Sequence, residues 1–238
     1  MSLELRRQGG RPLVIGHRGA SARAPENTIA AFEAALQAGV DLVEFDVSPG
    51  LRVTHDPAPS ADAPTLDQVL ELLAGAGVGA HVDLKHPGYE REAVEAIERH
   101  DLAERALVST AFATSARRVR ELRPELPVAI GYPRDRYGVS SFPWPAALTR
   151  AGAAALRAAM PVRVPLLLSS SRATVLALHH TLCSRAAVAA AHRRGAPVLG
   201  WTANDVEAVT RLVEAGVDAI VSDDPEVVVG ALATLPAA

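Results

Sequence analysis

Cysteine is nearly absent from this chain of 238 residues, since Cys183 is the only one. A lone cysteine excludes an internal disulfide and a multi-cysteine metal site, and it favours a reducing cytoplasm as the location. No apolar run approaches the ~18 residues that a membrane span needs, so we expect no transmembrane segment. The N-terminal residues also lack the apolar core of a signal peptide before Leu13.

An excess of positive charge is missing too, because the formal net charge is -3. Nucleic-acid binding usually requires a basic stripe, so nucleic acid is not an expected partner. The chain does contain 49% hydrophobic residues, enough to bury a substantial core. Its length suits one domain spanning residues 1–238, or a compact form of a barrel that typically needs ~250 residues.

Short apolar runs alternate with helical stretches along the whole chain, in about eight units. Such alternation implies parallel strands joined by helical crossovers. The fold class is therefore α/β, and we predict a single (β/α)8 TIM barrel over about residues 12–236. The predicted barrel strands are Leu13–Gly16, Asp41–Val47, Ala80–Leu84, Ala106–Ser109, Val128–Gly131, Val175–His179, Pro197–Thr202 and Ala219–Ser222.

The segment between the fifth and sixth units has a less regular pattern. Residues Pro145–Met160 are predicted to be mostly helical, and Ser169–Ser171 is predicted to be a loop. The apolar run Val162–Leu168 is interpreted as buried packing, since it is too short to span a membrane.

Two carboxylates lie in an apolar strand, Glu44 and Asp46 in the run LVEFDV. Their spacing places both on one face of a strand, where two anions repel each other unless a cation binds between them. A hard divalent metal is the natural occupant. The alternative is the polar face of a partly wet edge strand, which a barrel strand buried on both sides does not favour.

Two histidines, His17 and His55, each follow a predicted strand, and His17 precedes Arg18. Either histidine alone can be structural, but two histidines, two carboxylates and an arginine together suit metal-assisted chemistry on a phosphate. Such chemistry uses a base and an acid, and histidine can serve as either because its pKa lies near neutrality. Arg18 offers a fork of donors for phosphate oxygens, although a salt bridge to Glu26 or Asp56 is the simpler alternative.

Together these fragments resemble the glycerophosphodiester phosphodiesterase family, which opens with the same motifs in the same order. Those motifs read here His17-Arg18-Gly19, Pro25-Glu26-Asn27-Thr28, Ala31-Phe32, Glu44-Phe45-Asp46 and His55-Asp56. Later matches are Pro64-Thr65-Leu66, Asp83-Leu84-Lys85, Trp201-Thr202-Ala203-Asn204 and Ser222-Asp223-Asp224-Pro225. The resemblance covers most of the chain, except for a poor match from about Tyr137 to Cys183.

The resemblance implies a divalent metal, Ca²⁺ or Mg²⁺, held by Glu44, Asp46 and Asp83. The family usually has glutamate at the third position, so the shorter Asp83 requires a closer metal or a bridging water. An ordinary salt bridge between Asp83 and Lys85 is the alternative there. The resemblance assigns phosphate binding to Lys85 and Arg18, and Trp201 is interpreted as half core and half pocket wall.

By the same resemblance, His17 and His55 are the catalytic acid and base, in an order that the sequence does not decide. The expected reaction is hydrolysis of a small-molecule glycerophosphodiester to an alcohol and glycerol 3-phosphate. Two alternatives stay open. One is a lipid phosphodiesterase of the lysophospholipase D or sphingomyelinase D type on the same barrel, and the other is a non-catalytic barrel that binds a phosphorylated ligand.

The sequence also offers residues that would support the site and a short segment that would cover the pocket. Asn27 is either a helix cap or a support for the site, Asn204 and Asp205 are candidate caps, and Asp223 is interpreted as supporting or structural. The stretch Pro57–Ala63 is shorter than the excursion that the family usually carries. We therefore expect an open cleft, unless residues 137–171 supply the missing wall.

Overall fold

The computed structural model describes residues 3–6, 10–56, 62–133 and 146–234, with the backbone alone for 146–150. Within these ranges, eight parallel strands close into a barrel, and the strand β3 pairs antiparallel with β2. The (β/α)8 prediction is confirmed. The strands are β1 Leu13–Gly16, β2 Leu42–Ser48, β3 Arg52–Val53, β4 Gly79–Leu84, β5 Ala106–Thr110, β6 Val128–Tyr132, β7 Val175–His179, β8 Val198–Trp201 and β9 Ala219–Ser222.

Each parallel strand is followed by a helix on the outside of the barrel, the first coming after β1. The helices are α1 Ile29–Gln37, α2 Leu66–Ala76, α3 Glu90–Arg99, α4 Ala113–Leu122, α5 Ala146–Ser171, α6 Arg185–His192, α7 Val206–Ala215 and α8 Pro225–Thr234. Barrel closure comes from β1, which pairs with both β2 and β9.

Local sequence signals account for several helix ends. The Thr28 hydroxyl accepts from the backbone N–H of Ala31 and caps α1, so Asn27 is not that cap. Thr65 and Gln68 form a reciprocal capping box at α2. At the other end of α2, Gly77 adopts a left-handed conformation that a residue with a side chain rarely adopts.

Apolar side chains close one end of the barrel interior. They come from all the strands except β3 and β4, and include Ile15, Leu42, Leu107 and Leu199, all fully buried. A second apolar layer lies between the strands and the helices, where Phe32 and Phe45 meet edge to face at 5.8 Å. The polar residues are therefore left to the opposite end, where the strands finish.

Helix α5 differs from the sequence-based expectation. It continues past Met160 through Pro161 and Pro165 and includes Ser169–Ser171, so the predicted loop there is wrong. Buried side chains one turn apart explain how the helix tolerates two prolines: Met160, Val164 and Leu168 all pack into the core. The interpretation of 162–168 as buried packing holds for that face only, because Val162 is 74% exposed and Leu166 is 66% exposed.

The length of α5 also bears on the membrane prediction. By length and composition alone, Ala151–Ser171 is long and apolar enough to cross a membrane, and 17% of its most apolar stretch is buried in the fold. It is nevertheless the crossover helix between β6 and β7 and packs against α4 and α6. The expectation of no transmembrane segment stays a prediction.

Candidate active site

The ends of β2 and β4 bring together the three carboxylates that were predicted to bind metal. Asp46 and Asp83 are register partners on neighbouring strands, and Glu44 lies two residues earlier on β2. One oxygen from each of the three lies within 4.8 Å of the others. Glu44 and Asp83 border a cavity of about 480 Å³, whose polar lining also includes His17, Arg18, His55, His81, Lys85, Ser109 and Thr110.

The carboxylate cluster is buried, and the charges around it shift the pKa of Glu44. Glu44 is 4% exposed and Asp46 is fully buried. Burial raises the pKa of Glu44 to about 7, and the charges of Asp46 and Asp83 act in the same direction, against the opposing effect of His17 and Lys85. A buried group of anions is costly without cations. Such a set of oxygen donors suits a hard divalent metal ion.

Two cationic side chains already face these carboxylates. The Lys85 ammonium lies 2.5 Å from Asp46 Oδ1 and 2.5 Å from Asp83 Oδ2, while Arg18 Nε lies 2.9 Å from Asp46 Oδ2. Burial alone would raise the pKa of Asp83, but Lys85 outweighs it and lowers that pKa to about 2. The predicted alternatives of an Asp83–Lys85 salt bridge and an Arg18–Glu26 salt bridge are thus both present, the latter at 2.6 Å.

His17 follows β1 and is oriented by a carboxylate from the other end of the chain. Its Nδ1 lies 2.6 Å from Asp223 Oδ1, and its Nε2 lies 4.0 Å from Glu44 Oε2. Burial by itself lowers the pKa of His17, but the Glu44 charge and the Asp223 hydrogen bond outweigh it and raise the pKa. Asp223 therefore fixes the ring so that Nε2 faces the carboxylate cluster.

Asp223 is in turn held by two donors. The Ser21 hydroxyl donates to Oδ1 at 2.9 Å, and the Asn204 amide donates to Oδ2 at 2.5 Å. Asn204 thus supports the site and is not the cap of α7, a role filled by Asp205, which accepts from the Ala208 N–H at 2.7 Å. Ser21 and Asn204 keep Asp223 in place beside His17.

The turn after β1 is shaped to reach Glu44. Arg18 has a φ of 54°, and its backbone N–H donates to Glu44 Oε2 at 2.8 Å. Gly19 follows with a φ of 85°, and a Cβ there would lie 2.5 Å from the backbone carbon of Ala31 on α1. Only glycine fits this close approach of the turn to the helix, which explains the His-Arg-Gly order.

Asn27 supports Asp46 from the turn before α1. Its side-chain Nδ2 donates to Asp46 Oδ2 at 3.0 Å, and its Oδ1 accepts from the Asp46 N–H at 3.1 Å. Asn27 is 4% exposed and has a φ of 60°, a conformation that asparagine adopts more readily than most residues. Of the two predicted alternatives, the geometry matches the supporting role.

Sequence reasoning missed a chain of hydrogen bonds behind Asp83. The Ser109 hydroxyl lies 2.6 Å from Asp83 Oδ1 and 2.8 Å from His81 Nε2. An ionised carboxylate can only accept, so Ser109 donates to Asp83 and accepts from the His81 N–H. The available signals were the i, i+2 spacing of His81 to Asp83 and the pairing of Asp83 with Ser109 across β4 and β5.

Of the remaining predicted residues, His55 and Trp201 border the same cavity. His55 follows β3 and is exposed, and it lines the cavity together with His17. Trp201 ends β8, is half-buried, and meets the His179 ring edge to face at 5.2 Å. Asp56 is exposed and lies outside the carboxylate cluster.

The predicted open cleft rests largely on residues outside the described ranges. Of Pro57–Ala63, the structure describes only Asp62 and Ala63, and the candidate wall residues Phe142 and Trp144 also lie outside. The degree of cover over the cavity therefore stays a prediction.

Comparison with known proteins agrees with this geometry. Residues 17–59 and 53–227 match the model of the family described as "Glycerophosphoryl diester phosphodiesterase family". The chain belongs to that family. A curated relative, the glycerophosphodiester phosphodiesterase of Caldanaerobacter subterraneus subsp. tengcongensis, is 28% identical over 258 residues, covering 91% of this chain and 96% of the relative.

Solved structures of the family share the barrel. An Oleispira antarctica phosphodiesterase in complex with the product sn-glycerol-3-phosphate is 25% identical, with a TM-score of 0.72 and coverage of 94% of this chain and 97% of that one. A glycerophosphodiester phosphodiesterase from Parabacteroides distasonis has a TM-score of 0.73 at 20% identity, covering 94% and 98% of the two chains. The second likeness supports the fold alone.

Proposed function

We propose that this family member is a metal-dependent glycerophosphodiester phosphodiesterase that releases an alcohol and glycerol 3-phosphate. The observation that carries the proposal is the cluster of Glu44, Asp46 and Asp83. Two of its members, Glu44 and Asp83, border one cavity together with His17. Family membership supports the reaction class, and the relative bound to sn-glycerol-3-phosphate supports the product class.

Glu44, Asp46 and Asp83 are assigned to a divalent metal, either Ca²⁺ or Mg²⁺. Their oxygen donors, buried between strands, are the chemistry that such ions prefer. When bound, the ion would polarise a phosphoryl oxygen and so favour attack at phosphorus. Arg18 and Lys85, which border the same cavity, are assigned to the negative charge of the phosphate, and Trp201 to the pocket wall.

His17 and His55 are assigned to proton transfer. Asp223 binds His17 Nδ1, which leaves Nε2 on the side of the carboxylate cluster to accept or donate a proton. His55 lines the same cavity from the segment after β3. One histidine deprotonates the attacking oxygen and the other protonates the leaving alcohol, and the order of the two is left open.

The proposed catalytic domain comprises the whole chain. Residues 1–238 are taken as one domain, supported by the pairing of β1 with β9 near the two ends of the sequence. A cytoplasmic location rests on the single cysteine and stays a prediction, as does the absence of nucleic-acid binding.

The decisive experiment is a panel of phosphodiesters assayed with Ca²⁺, Mg²⁺ or Mn²⁺, against a chelator control. We expect glycerophosphocholine to yield glycerol 3-phosphate only when a divalent ion is present. Full turnover in excess chelator would contradict the metal assignment. Choline release from lysophosphatidylcholine in preference to glycerophosphocholine would favour the lipid phosphodiesterase. Glycerol 3-phosphate binding without turnover of any diester would favour the non-catalytic barrel.

A further inference from the structure

The charges of this chain are strongly segregated along the sequence. From residue 136 to residue 204 there is no aspartate or glutamate, while eight arginines occur there. The rest of the chain therefore has 16 of the 24 basic residues against all 27 acidic ones. A segment that lacks one sign of charge over this length is unusual for a chain whose overall net charge is negative, and it points to an anionic partner.

The acid-free segment forms one side of the barrel, built by α5, β7, α6 and β8. All six of its arginines whose side chains the structure describes are exposed there: Arg157, Arg163, Arg172, Arg185, Arg193 and Arg194. We call the exposed surface of α5 and α6, with Arg172 and the α6 end at Arg193 and Arg194, the α5–α6 face. Helices α5 and α6 pack directly against each other, so their exposed surfaces adjoin. Arg185 lies at the edge toward α7, where its Nε donates to the Glu214 carbonyl at 3.0 Å.

Apolar side chains stand among these arginines. Val162 and Leu166 are 74% and 66% exposed, and their i, i+4 spacing places them on the same side of α5. Among the described residues, the other large exposed hydrophobic side chains are Val206 and Val229, both outside the acid-free segment. Exposed alanines, including Ala155 and Ala158, extend the apolar surface along the helix.

The fold already uses the opposite side of α5 as core. Met160, Val164 and Leu168 are buried against the barrel, and the helix connects β6 to β7. Burying Val162 and Leu166 in the same core would require α5 to rotate out of this packing. A membrane-spanning helix is equally incompatible with the barrel, so the exposed side remains available to a surface.

We propose that the α5–α6 face binds the surface of an anionic membrane, with Val162 and Leu166 entering the headgroup region and the arginines facing lipid phosphates. A helix that presents apolar and cationic side chains without acidic ones has the composition of an interfacial helix. The acidic remainder of the chain is repelled by the same surface, which orients the molecule. A second copy fits less well, because a symmetric pairing would bring two arginine-rich faces together.

This face adjoins the rim where the strands end. Arg157 donates to the Thr181 carbonyl, just past the end of β7, at 2.9 Å. Arg163 stacks over the ring of Tyr132, the last residue of β6, at 5.3 Å. With 26 residues, α5 is long enough to reach from this rim along the full height of the barrel. Docking would therefore hold the cavity close to the membrane surface.

The test is vesicle flotation of the full-length chain, which needs no catalysis and so is independent of the proposed hydrolysis. We expect binding to phosphatidylcholine vesicles that contain phosphatidylglycerol, weakened by salt, and much less to phosphatidylcholine alone. Val162→Ser/Leu166→Ser should lower the binding constant at least ~10-fold, since two apolar contacts are lost. Val206→Ser, on the 58% exposed Val206 of α7, is the matched control and should bind like the wild type.

The arginines are tested in parallel. Arg193→Gln/Arg194→Gln should weaken binding about 10-fold, because each cation near an anionic surface contributes roughly 1 kcal/mol. Arg91→Gln/Arg118→Gln removes two exposed arginines that lie beside acidic side chains outside this face, and it should have little effect. Turnover of soluble glycerophosphocholine should be the same in all these variants, which also reports that they are folded.

Three results would overturn the proposal. One is failure of the wild type to bind anionic vesicles at low salt. Another is undiminished binding by Val162→Ser/Leu166→Ser. The third is a wild type that binds no vesicles but forms a dimer in sedimentation velocity, provided that Val162→Ser/Leu166→Ser dissociates the dimer. The face would then bind a second copy of this chain.

Discussion

The contact between His17 and Asp223 offers the sharpest test of the site, through the substitution Asp223→Asn. The change keeps the shape of the side chain but removes the charge that lies 2.6 Å from His17 Nδ1. An asparagine that turns its amide toward Nδ1 favours the other tautomer and leaves Nε2 with the wrong proton occupancy. We expect kcat for glycerophosphocholine to fall at least ~10²-fold, the usual scale of acid–base catalysis.

The lowered pKa of Asp223 also determines how much stability the fold loses in Asp223→Asn. Burial alone would raise that pKa, but the hydrogen bond and charge of His17 lower it from 3.8 to about 2. Without screening, such a shift corresponds to roughly 2–3 kcal/mol, and for a carboxylate that is a third exposed we expect about 1 kcal/mol after solvent screening. Because the folded-state pKa is lowered, this stability is present above the unfolded pKa and is lost as pH falls through about 2.

The assays are steady-state kinetics across pH and urea unfolding at neutral pH and at pH of about 3. The wild type should lose more stability between the two pH values than Asp223→Asn does. Asp224→Asn, at the neighbouring carboxylate, is the matched control and should leave kcat nearly unchanged. If Asp223→Asn retains wild-type kcat and an unmoved pH profile, Asp223 does not position His17 and the argument from this contact fails.

Three further predictions follow from the same geometry. His17→Ala and His55→Ala should each lower kcat at least ~10²-fold with the fold intact by circular dichroism, and near wild-type turnover in either would remove it from acid–base catalysis. Ser109→Ala should raise the metal concentration needed for half-maximal activity ~10–100-fold through the loss of its bond to Asp83, while an unchanged metal requirement would show that Asp83 needs no such support. Gly19→Ala should lower the free energy of unfolding by at least ~2 kcal/mol, as its Cβ would meet the α1 backbone, and a stability equal to wild type in urea titration would contradict the close approach.

The strands and the main carboxylates could be predicted because their signals are local. Val175–His179 was predicted with the bounds that β7 has, and the spacing of Glu44 and Asp46 follows from the two-residue period of a strand. The end of α5 could not be predicted, since Pro161 and Pro165 favour a break. Tertiary packing of Met160, Val164 and Leu168 overrides that local preference.

The partners of the supporting residues could not be predicted because they are distant in sequence. Asp223 reaches His17 across 206 positions, and Asn27 reaches Asp46 across 19. Both contacts exist only after β1 pairs with β2 and β9 to close the barrel. The chemistry of a carboxylate or an amide is visible in the sequence, but its assignment to one neighbour requires the register of the strands.

The bonds behind Asp83 suggest how the shorter side chain can serve at a position where the family usually has glutamate. Ser109 donates to one oxygen of Asp83, which leaves the other, Oδ2, on the side of Lys85 and the rest of the cluster. Burial lowers the pKa of His81 to about 4, so its ring is neutral and offers a hydrogen to Ser109 rather than a second positive charge beside the carboxylates. The neutral Ser109 hydroxyl, supported by His81, thus holds one oxygen of Asp83, while Lys85 binds the other. The cations near the cluster, Lys85 and Arg18, remain the groups that can respond to the charge of a bound phosphate.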